Sequence, residues 1–248
     1  NEIDNNDDNG DLCTGSAASL KVLLAPGTYY VVSEGFGGNT GAITTTISTN
    51  TPCVSNTTLN LTCLIEGYFD GVSGMVAVLA NQGDPNAPLN ATDSIDVSLK
   101  DELTYTTVAT VKAQLNQDGT CTATFSGAYL GNYYIAVQHR NAIETWSANP
   151  VSFASSSASF NFTTASSQAY NGNQREVAPG VWAFFTGDII KDANEAVELS
   201  DVAQLESDNL AFAFGLQASD INGDGDVNLS DFPLVEANVN AFIFSNHP

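Results

Sequence analysis

The residues whose types and spacing best suit chemistry lie in one short stretch near the C-terminus. The stretch Asp220–Phe232, with the sequence DINGDGDVNLSDF, places carboxylate and amide oxygens at alternate positions around a glycine. A hard cation such as Ca²⁺ takes six to eight oxygen ligands. An EF-hand-type loop supplies them from its first, third, fifth, seventh, ninth and twelfth positions, with glycine at the sixth. Counted from the first residue of the stretch, the predicted calcium ligands are Asp220, Asn222, Asp224, Asp226, Asn228 and Asp231.

The predicted role of this ion is structural. We expect Asp226 to bind through its backbone carbonyl and Asn228 through a water molecule, while Asp231 replaces the glutamate usual at the twelfth position. Oxygen-only ligation excludes thiophilic metals. Ca²⁺ is a poor Lewis acid, and the stretch contains no His, Lys or Arg to move protons. We therefore predict no catalytic residues and a protein that is not an enzyme.

The stretch belongs to an internal repeat. Val197–Glu206 aligns with Val227–Glu236 at a spacing of 30 residues, and Ala211–Gly215 aligns with Ala241–Ser245 at the same spacing. The earlier copy of the loop is two residues longer and lacks the glycine. One alternative is a second metal site, with the ligands Asp188, Asp192, Asn194, Glu198 and Asp201. The other is a relic in which Ile189 and Ile190 pack against the partner repeat.

The elements that must position these loops are short strands followed by two short helices. Segments rich in Val, Ile, Thr, Tyr and Phe, broken by glycine and proline turns, predict strands. They are Ser19–Leu24, Thr28–Glu34, Ala42–Ser48, Thr58–Phe69, Met75–Leu79, Ser94–Leu99, Tyr105–Leu115, Thr120–Phe125, Asn132–Gln138 and Ser152–Thr164. An amphipathic helix is predicted to begin near each Leu-Ser-Asp, at Leu199 and Leu229.

These elements predict a mostly β chain with an immunoglobulin-like β-sandwich and a small helical calcium-binding module. The predicted divisions are a partial β-domain over 1–50, the sandwich over 56–165, a connector over 166–186 that ends in an aromatic strand, and the module over 187–248. Three strands are too few to bury a sandwich core. Residues 1–50 are therefore predicted to end a larger domain, or to complete their sheet in cis or in trans.

The charge of the chain limits its partners. Asp and Glu number 28 against 6 Lys and Arg, for a formal net charge of −22. Such a chain repels nucleic acid and anionic membrane surfaces, and no apolar run is long enough to insert into a membrane. The opening NEIDNNDDNGDLC is expected of a processed product or a piece of a longer protein. We predict an extracellular or cell-surface protein whose partners are other copies of itself, cell-surface proteins or glycans.

The four cysteines favour an oxidising compartment. Cys13, Cys53, Cys63 and Cys121 contain no CxxC pair, so a structural zinc site is not predicted. An even number of cysteines in a Ser-, Thr- and Asn-rich chain is typical of secreted proteins. Cys63 and Cys121 fall in strand-like segments of one domain and are predicted to form a disulfide, which leaves Cys13 to pair with Cys53. Four cysteines allow three arrangements, and the other two stay open.

Two parts of the chain resemble known families. Residues 187–248, with two tandem Asp-rich loops each followed by a short helix, resemble the type I dockerin repeat. Over residues 58–248 the chain resembles the C-terminal portion of large secreted surface proteins exported by type IX secretion. The segments that carry this second resemblance are Leu64–Gly71, Tyr133–Val151, Phe160–Ala165, Gly180–Ile189 and the terminal Phe242–Pro248. Leu24–Gly35 is similar to the last strands of pre-peptidase-type sandwich domains. The resemblance implies extracellular display, adhesion or filament formation, and it fixes no ligand.

The leading prediction is a calcium-stabilised surface, adhesive or filament protein. Its predicted docking surfaces are Phe212 with Phe214 and Phe242 with Phe244, against its own sandwich or the next subunit. The first alternative is a dockerin that recruits a cohesin-type partner. A helix face around Leu229–Val235 that is buried in the same chain would count against it.

The second alternative is a carbohydrate-binding sandwich. Its sugar platform would be formed by Trp146, Trp182 and Tyr134. The nearby pair His139–Arg140 is predicted to make a salt bridge at a sheet edge rather than to act in catalysis.

Overall fold

The structure, a computed structural model, describes Ser19, Leu20, Val22, residues 29–33, residues 44–47 and residues 56–248. By its internal contacts the chain divides into two compact units, Asn1–Asn50 and Thr51–Pro248. The strands predicted before residue 50, and with them the predicted partial β-domain, lie mostly outside the described residues. The described residues among them are in neither helix nor strand.

The second unit is built mainly from β-strands over its described residues 56–248, which confirms the prediction of a mostly β chain. The strands are β1 (Thr57–Thr62), β2 (Ala91–Asp101), β3 (Thr107–Asn116), β4 (Thr120–Phe125), β5 (Asn132–His139), β6 (Ala142–Trp146), β7 (Val151–Ser152), β8 (Ser157–Asn161), β9 (Arg175–Ala178) and β10 (Val181–Ala183). The first eight form one sheet in the order β6-β5-β2-β3-β4-β1-β8, with β7 beside β5, and β9 pairs with β10. Strand β8 runs parallel to β1, while β4 runs antiparallel to it.

The alternation of apolar and polar residues decides which face of the sheet is buried. In β1, Leu59 and Leu61 are buried and Asn60 between them is exposed. Strand β4 alternates in the same way and buries Phe125 at its end. The buried faces of β1 to β5 contribute to one apolar core. One sheet therefore curls around its own core, while the immunoglobulin-like arrangement stays a prediction.

Several segments differ from the predicted strands. The strand predicted over Thr58–Phe69 ends at Thr62, because the chain then leaves the sheet to exchange backbone hydrogen bonds with Phe184. Part of the strand predicted over Met75–Leu79 is the start of a short helix, α1 (Val78–Asn81). The strand predicted over Ser152–Thr164 is split into β7 and β8, and β6 was not predicted.

Two longer helices follow the sheet, α2 (Leu199–Leu210) and α3 (Phe232–Asn240). The start of α2 is closed by a capping box between Glu198 and Asp201, and a proline stands in the first turn of α3. Buried apolar residues of both helices and both loops form a second core that includes Leu205, Ile221 and Val235. Of the helices in the described part of the chain, none is long and apolar enough to cross a membrane.

The predicted disulfide between Cys63 and Cys121 is not formed, and both are buried free thiols. The register explains this: Cys121 lies opposite Leu61, and Cys63 donates its backbone N–H to Gly119. The two cysteines are thus diagonal neighbours, about 7–8 Å apart between Cα atoms, beyond the usual reach of a disulfide. Burial raises the pKa of the Cys121 thiol to about 11. Cys13 and Cys53 lie outside the described residues.

Candidate functional site

The second loop, Asp220–Asp231, is shaped by hydrogen bonds from its own backbone to its own side chains. Asp220 accepts the N–H groups of Gly223 and Gly225 at 2.9 and 3.1 Å. The next two bonds repeat this pattern along the loop, from the N–H of Asp224 to Asn222 at 2.9 Å and from the N–H of Asp226 to Asp224 at 3.0 Å. The side chains at the first, third and fifth positions are thus turned back toward the loop backbone.

The twelfth position closes the loop. Asp231 accepts the N–H groups of Ile221 and Asn222 at 2.8 and 3.1 Å through Oδ1, and that of Asn228 at 2.9 Å through Oδ2. All six predicted ligands therefore belong to one folded loop. Its two terminal carboxylates are buried, and the four predicted ligand residues between them are half-buried or exposed.

The glycines of the second loop serve both its backbone and its contact with the sandwich. Gly223 and Gly225 have φ values of 73° and 98°, in the left-handed region that favours glycine. A Cβ on Gly223 would lie 2.5 Å from Val78 Cγ2, and one on Gly225 would lie 2.6 Å from the carbonyl oxygen of Asn81. Asn81 in turn donates to the Gly223 carbonyl at 2.8 Å. The loop therefore rests directly on α1 of the same chain.

The sandwich also holds the first residue of the second loop. Gln82 Nε2 donates to Asp220 Oδ2 at 2.9 Å, and Asn141 Nδ2 donates to the Asp220 carbonyl at 3.2 Å. Asn141 Oδ1 contacts the buried His139, whose other ring nitrogen lies 2.9 Å from Asp93. A buried polar chain thus runs from the core of the sandwich to the loop.

The two terminal carboxylates of the second loop lack a cationic partner. Asp220 and Asp231 are 0% and 1% exposed, yet neither is ion-paired with a Lys, Arg or His side chain in the described part of the chain. Burial raises the pKa of both groups above the usual aspartate value. Of the four other buried acids in the described part of the chain, three have such partners: Glu66 with Arg175, Asp93 with His139 and Arg140, and Asp188 with Lys191. The fourth, Asp201, has none.

The donor set of the second loop matches calcium in kind. It offers only oxygen atoms, and uncompensated buried carboxylates favour a cation from solution. Within the described residues, however, no three His, Cys, Asp or Glu side chains lie together as a group that could hold a metal. Asp231 faces three backbone N–H groups, so calcium ligation by this loop stays a prediction.

The first loop, Asp188–Asp201, copies the twelfth-position bonds of the second. Asp201 accepts the N–H groups of Ile189 and Ile190 through Oδ1, each at 2.8 Å, and that of Glu198 through Oδ2 at 2.8 Å. Of the two isoleucines, the first is packed in the second core, whereas the second is 38% exposed. The prediction that both pack inward is therefore wrong for Ile190.

The other predicted ligands of the first loop make separate hydrogen bonds. Asp192 accepts the N–H of Asn194 in an exposed turn at 2.8 Å. The Glu198 carboxylate accepts the Ser200 hydroxyl at 2.9 Å and caps α2. The structure does not bring these side chains together with Asp188 around one point.

A lysine side chain contacts the first position of the first loop. Lys191 Nζ donates to Asp188 Oδ2 at 2.8 Å and to the Ala142 carbonyl in β6 at 2.6 Å. Asp188 Oδ1 is buried and has no hydrogen-bond partner among the described residues. Burial raises the pKa of Asp188, although the nearby lysine acts to lower it. Sequence analysis missed this contact, but a signal was present, because Lys191 is the one Lys or Arg in residues 187–248.

The two repeats exchange their C-terminal segments. After α2, the carbonyl of Ala213 accepts the N–H of Val227 in the second loop at 2.9 Å. After α3, the carbonyl of Ile243 accepts the N–H of Val197 in the first loop at 2.8 Å. The segment after α2 therefore holds the second loop, and the segment after α3 holds the first. The two halves of the repeat form one unit.

This pairing turns the predicted docking phenylalanines outward. Ala213 and Ile243 pack against the second core, so their neighbours on either side face solvent. The exposed fractions are 85% for Phe212, 76% for Phe214, 83% for Phe242 and 51% for Phe244. The prediction that they dock on their own sandwich is therefore wrong. We call these four side chains the phenylalanine pairs.

The helix face around Leu229–Val235 is divided between solvent and core. Leu229 is 76% exposed, and its repeat partner Leu199 is 74% exposed, whereas Val235 is fully buried.

Phe212 and Phe242 share the same left-handed backbone conformation, each with φ of 53°. Such a conformation costs a non-glycine residue about 1–2 kcal/mol. Both repeats thus present the same apolar side chains in the same way.

Helix α3 is attached to the sandwich by one buried asparagine. Asn238 Nδ2 donates to Glu66 Oε2 at 2.7 Å and to the Thr186 carbonyl at 2.8 Å. Its Oδ1 accepts from Arg175 Nη2 at 2.9 Å, and Arg175 Nε donates to Glu66 Oε1 at 2.8 Å. The sequence carried no signal for this cluster, because its members are far apart in the chain.

The predicted sugar platform is not a flat exposed surface. Trp146 is 4% exposed and stacks on His247 with ring centroids 5.2 Å apart. The rings of Tyr134 and Trp146 are tilted by 52°, and Trp182 lies in β10, outside this group. The predicted salt bridge of Arg140 is formed with the buried Asp93, at 3.1 Å.

Comparison with known proteins gives a weak structural likeness. No protein-family model and no curated protein matches the chain. The chain is similar to one chain in the crystal structure of a C-terminal interface mutant of a type II cohesin–X-dockerin complex from Acetivibrio cellulolyticus. The match has a TM-score of 0.42 and 14% identity over 73% of this chain and 94% of that one. An N-terminal interface mutant of the same complex matches with a TM-score of 0.41 and 15% identity over 77% and 96%. At these values the likeness establishes neither a shared function nor a shared partner.

Proposed function

We propose that the protein is a non-enzymatic, calcium-stabilised surface protein that acts outside the cell and assembles through its C-terminal repeat. The observation that carries this proposal is the pair of buried carboxylates, Asp220 and Asp231, which form no ion pair with any cationic side chain among the described residues. Calcium bound between them would remove their repulsion and fix the loop on α1. The resemblance of residues 187–248 to dockerin repeats, and of residues 58–248 to exported surface proteins, supports the same function.

Calcium removal is expected to lower the melting temperature of the protein. A ligand at a hundredfold excess over its Kd stabilises the fold by about 2.7 kcal/mol, which corresponds to about 5–10 °C for a unit of this size. The measurement is a thermal melt in calcium and in a chelator. The variant Asp220→Asn/Asp224→Asn should show no difference between the two conditions, while the exposed Asp84→Asn should behave as wild type. Identical wild-type melts would contradict the calcium site.

The difference between the two melts is expected to shrink as the pH falls. Burial raises the pKa of Asp220 and Asp231 in the folded loop. Such groups favour the protonated fold, so the calcium-free protein gains stability as the pH falls toward the raised pKa values. Protons also compete with calcium for the same oxygens. Both effects reduce the advantage of calcium in acid.

The phenylalanine pairs supply the surface for assembly. Clustered exposed apolar groups mark protein contact sites, whereas single ones are normal. Because each chain presents two such pairs, one after each helix, it offers two equivalent contact points, which suits assembly with further copies of the chain. Repulsion between chains of net charge −22 opposes this contact at low salt, so we expect association to strengthen as salt screens the charges.

Serine at Phe212, Phe214, Phe242 and Phe244 is expected to abolish self-association without unfolding the chain. Loss of an aromatic contact centre weakens binding by about tenfold or more. Sedimentation velocity in calcium, over a wide range of concentration and salt, measures the effect. The variant Val72→Ser/Leu89→Ser is the matched control, because these side chains are 77% and 99% exposed and lie far from the repeat in sequence. It should associate as wild type does.

A second candidate function is recruitment of a cohesin-type partner. It is favoured by the exposure of Leu199 and Leu229 at equivalent places in the two repeats. Wild-type protein that stays monomeric at every salt concentration would contradict self-association. Calcium-dependent binding of the same protein to an immobilised type I cohesin would then support this candidate, and no binding would exclude it for that cohesin.

A further inference from the structure

We propose that the ammonium group of Lys191 is the built-in cation of the first loop, so that this loop folds without a metal and the repeat binds calcium at the second loop alone. The proposal rests on the proposed calcium site for its contrast between the two loops. Its statement about the first loop stands on separate contacts.

The last carboxylate of each loop accepts the same set of backbone hydrogen bonds. Asp201 and Asp231 each accept two consecutive N–H groups from the start of the loop and one N–H from the residue three positions before themselves. The last carboxylates of the two loops therefore make the same backbone contacts. A difference in cation binding must come from the other residues of the loops.

The first carboxylate is where the loops differ. In the second loop, Asp220 accepts N–H groups of Gly223 and Gly225, and it forms no ion pair with the part of the chain that the structure describes. In the first loop, Asp188 Oδ2 lies 2.8 Å from Lys191 Nζ, and the Asp188 side chain is 4% exposed. The first loop thus contains a positive charge at the position where the second loop has an uncompensated negative one.

The lysine is held in place from the sandwich side as well. Its Nζ donates to the Ala142 carbonyl. Burial lowers the pKa of Lys191, and the charges of Asp188 and Asp201 act against this effect without reversing it. One ammonium satisfies only one oxygen of Asp188, which leaves Oδ1 without a partner. This is expected when a side chain takes the place of an ion that binds several oxygens.

The remaining side chains of the first loop do not fit a metal. Asp192 is exposed, Glu198 caps α2, and Ile190 stands where a polar ligand belongs. Lys191 is the one Lys or Arg in residues 187–248, and it lies within the loop that lacks the ligands. With the ammonium group of Lys191 in place, the first loop needs no metal ligands. Without those ligands, the loop needs a cation of its own.

Amine labelling of the unmodified protein tests the proposal directly. A short acylation pulse, mapped by mass spectrometry with and without calcium, reports access to each lysine. We expect calcium to leave the rate at Lys191 unchanged relative to Lys112, whose side chain is 64% exposed. Calcium that entered the first loop would displace Lys191 and raise its rate, which would overturn the proposal.

Calcium counting separates this proposal from the proposed function. We expect native mass spectrometry to show one ion on the wild type and none on Asp220→Asn/Asp224→Asn. An ion retained by that variant would overturn the metal-free first loop. No ion on the wild type would instead contradict the second-loop site, and Lys191 would still be judged by the labelling and by a mutant cycle.

The mutant cycle combines Asp188→Asn with Lys191→Met in the presence of a chelator. Groups in direct contact are coupled, and we expect the unfolding equilibrium constants to deviate from additivity by about tenfold. The pair Lys112→Met and Asp96→Asn, an exposed ion pair at 3.2 Å, is the matched control and should deviate by about twofold or less. Additive effects for Asp188 and Lys191 would contradict the proposal.

Discussion

Aspartate in place of Asn238 is expected to destabilise the second compact unit by about 3–5 kcal/mol, the usual cost of an uncompensated buried charge. Asn238 is fully buried, and its amide donates to Glu66 Oε2 and to the Thr186 carbonyl. A carboxylate would replace both donors with oxygen and would face a second carboxylate. Arg175 would keep its bond but cannot balance two acids. Urea unfolding followed by circular dichroism measures the change.

Asn240→Asp is the control for this prediction. It adds the same charge at an exposed position of the same helix, where a negative charge near the C-terminus costs about 0.3–1 kcal/mol. The effect of Asn238→Asp should also decrease in acid, because protonation of the new carboxyl restores a donor. Equal stability of the two variants would show that α3 is not held by this cluster.

Alanine in place of Gly67 is expected to cost about 3 kcal/mol, at the upper end of the range for overpacking. A Cβ at this position would overlap the carbonyl oxygen of Ile221 in the second loop. Backbone atoms cannot move aside as a flexible side chain can, so the loop must shift away from the sandwich. Because Ile221 follows Asp220, we also expect weaker calcium binding, which isothermal titration measures.

Gly83→Ala separates packing from backbone strain. Gly83 has a left-handed φ of 79° but no atom within 4 Å of a Cβ, whereas the φ of Gly67 is not left-handed. Backbone strain alone would make Gly83→Ala the costlier change, at about 1–2 kcal/mol. Contact with the loop reverses that order. A larger loss at Gly83 would argue that the loop is not seated on Gly67.

Local pattern was sufficient to predict the strands that alternate cleanly. Strand β4 was predicted with its observed bounds, because Thr120–Phe125 alternates at every position. Both helices were predicted to begin near a Leu-Ser-Asp, and α2 begins at the leucine of its copy, whereas α3 begins at Phe232, directly after its copy. The pattern failed where contacts with distant residues decide the structure of a segment. Leu64 and Ile65 are apolar enough for a strand, but they leave the sheet to pair with Phe184.

The candidate site was predicted only in part, because its residues are local in sequence but the contacts that hold it are not. Ligand types and their spacing belong to a contiguous stretch, so the six oxygen-bearing residues of the second loop could be named from the sequence. What holds that loop could not, because Gln82 and Asn141 lie 138 and 79 residues away from Asp220. The disulfide prediction failed because the strand register places Cys121 opposite Leu61, two residues before Cys63.

The sequence by itself determined the mostly β class, the tandem repeat and the loop chemistry, because each depends on residue order over short distances. The tertiary structure decided which loop has its own cation and which side chains remain free for a partner. Lys191 reaches Asp188 and Ala142 only after the loop closes against β6. The phenylalanine pairs face solvent only because Ala213 and Ile243 between them are drawn into the second core. Both outcomes depend on contacts between segments that periodicity does not relate.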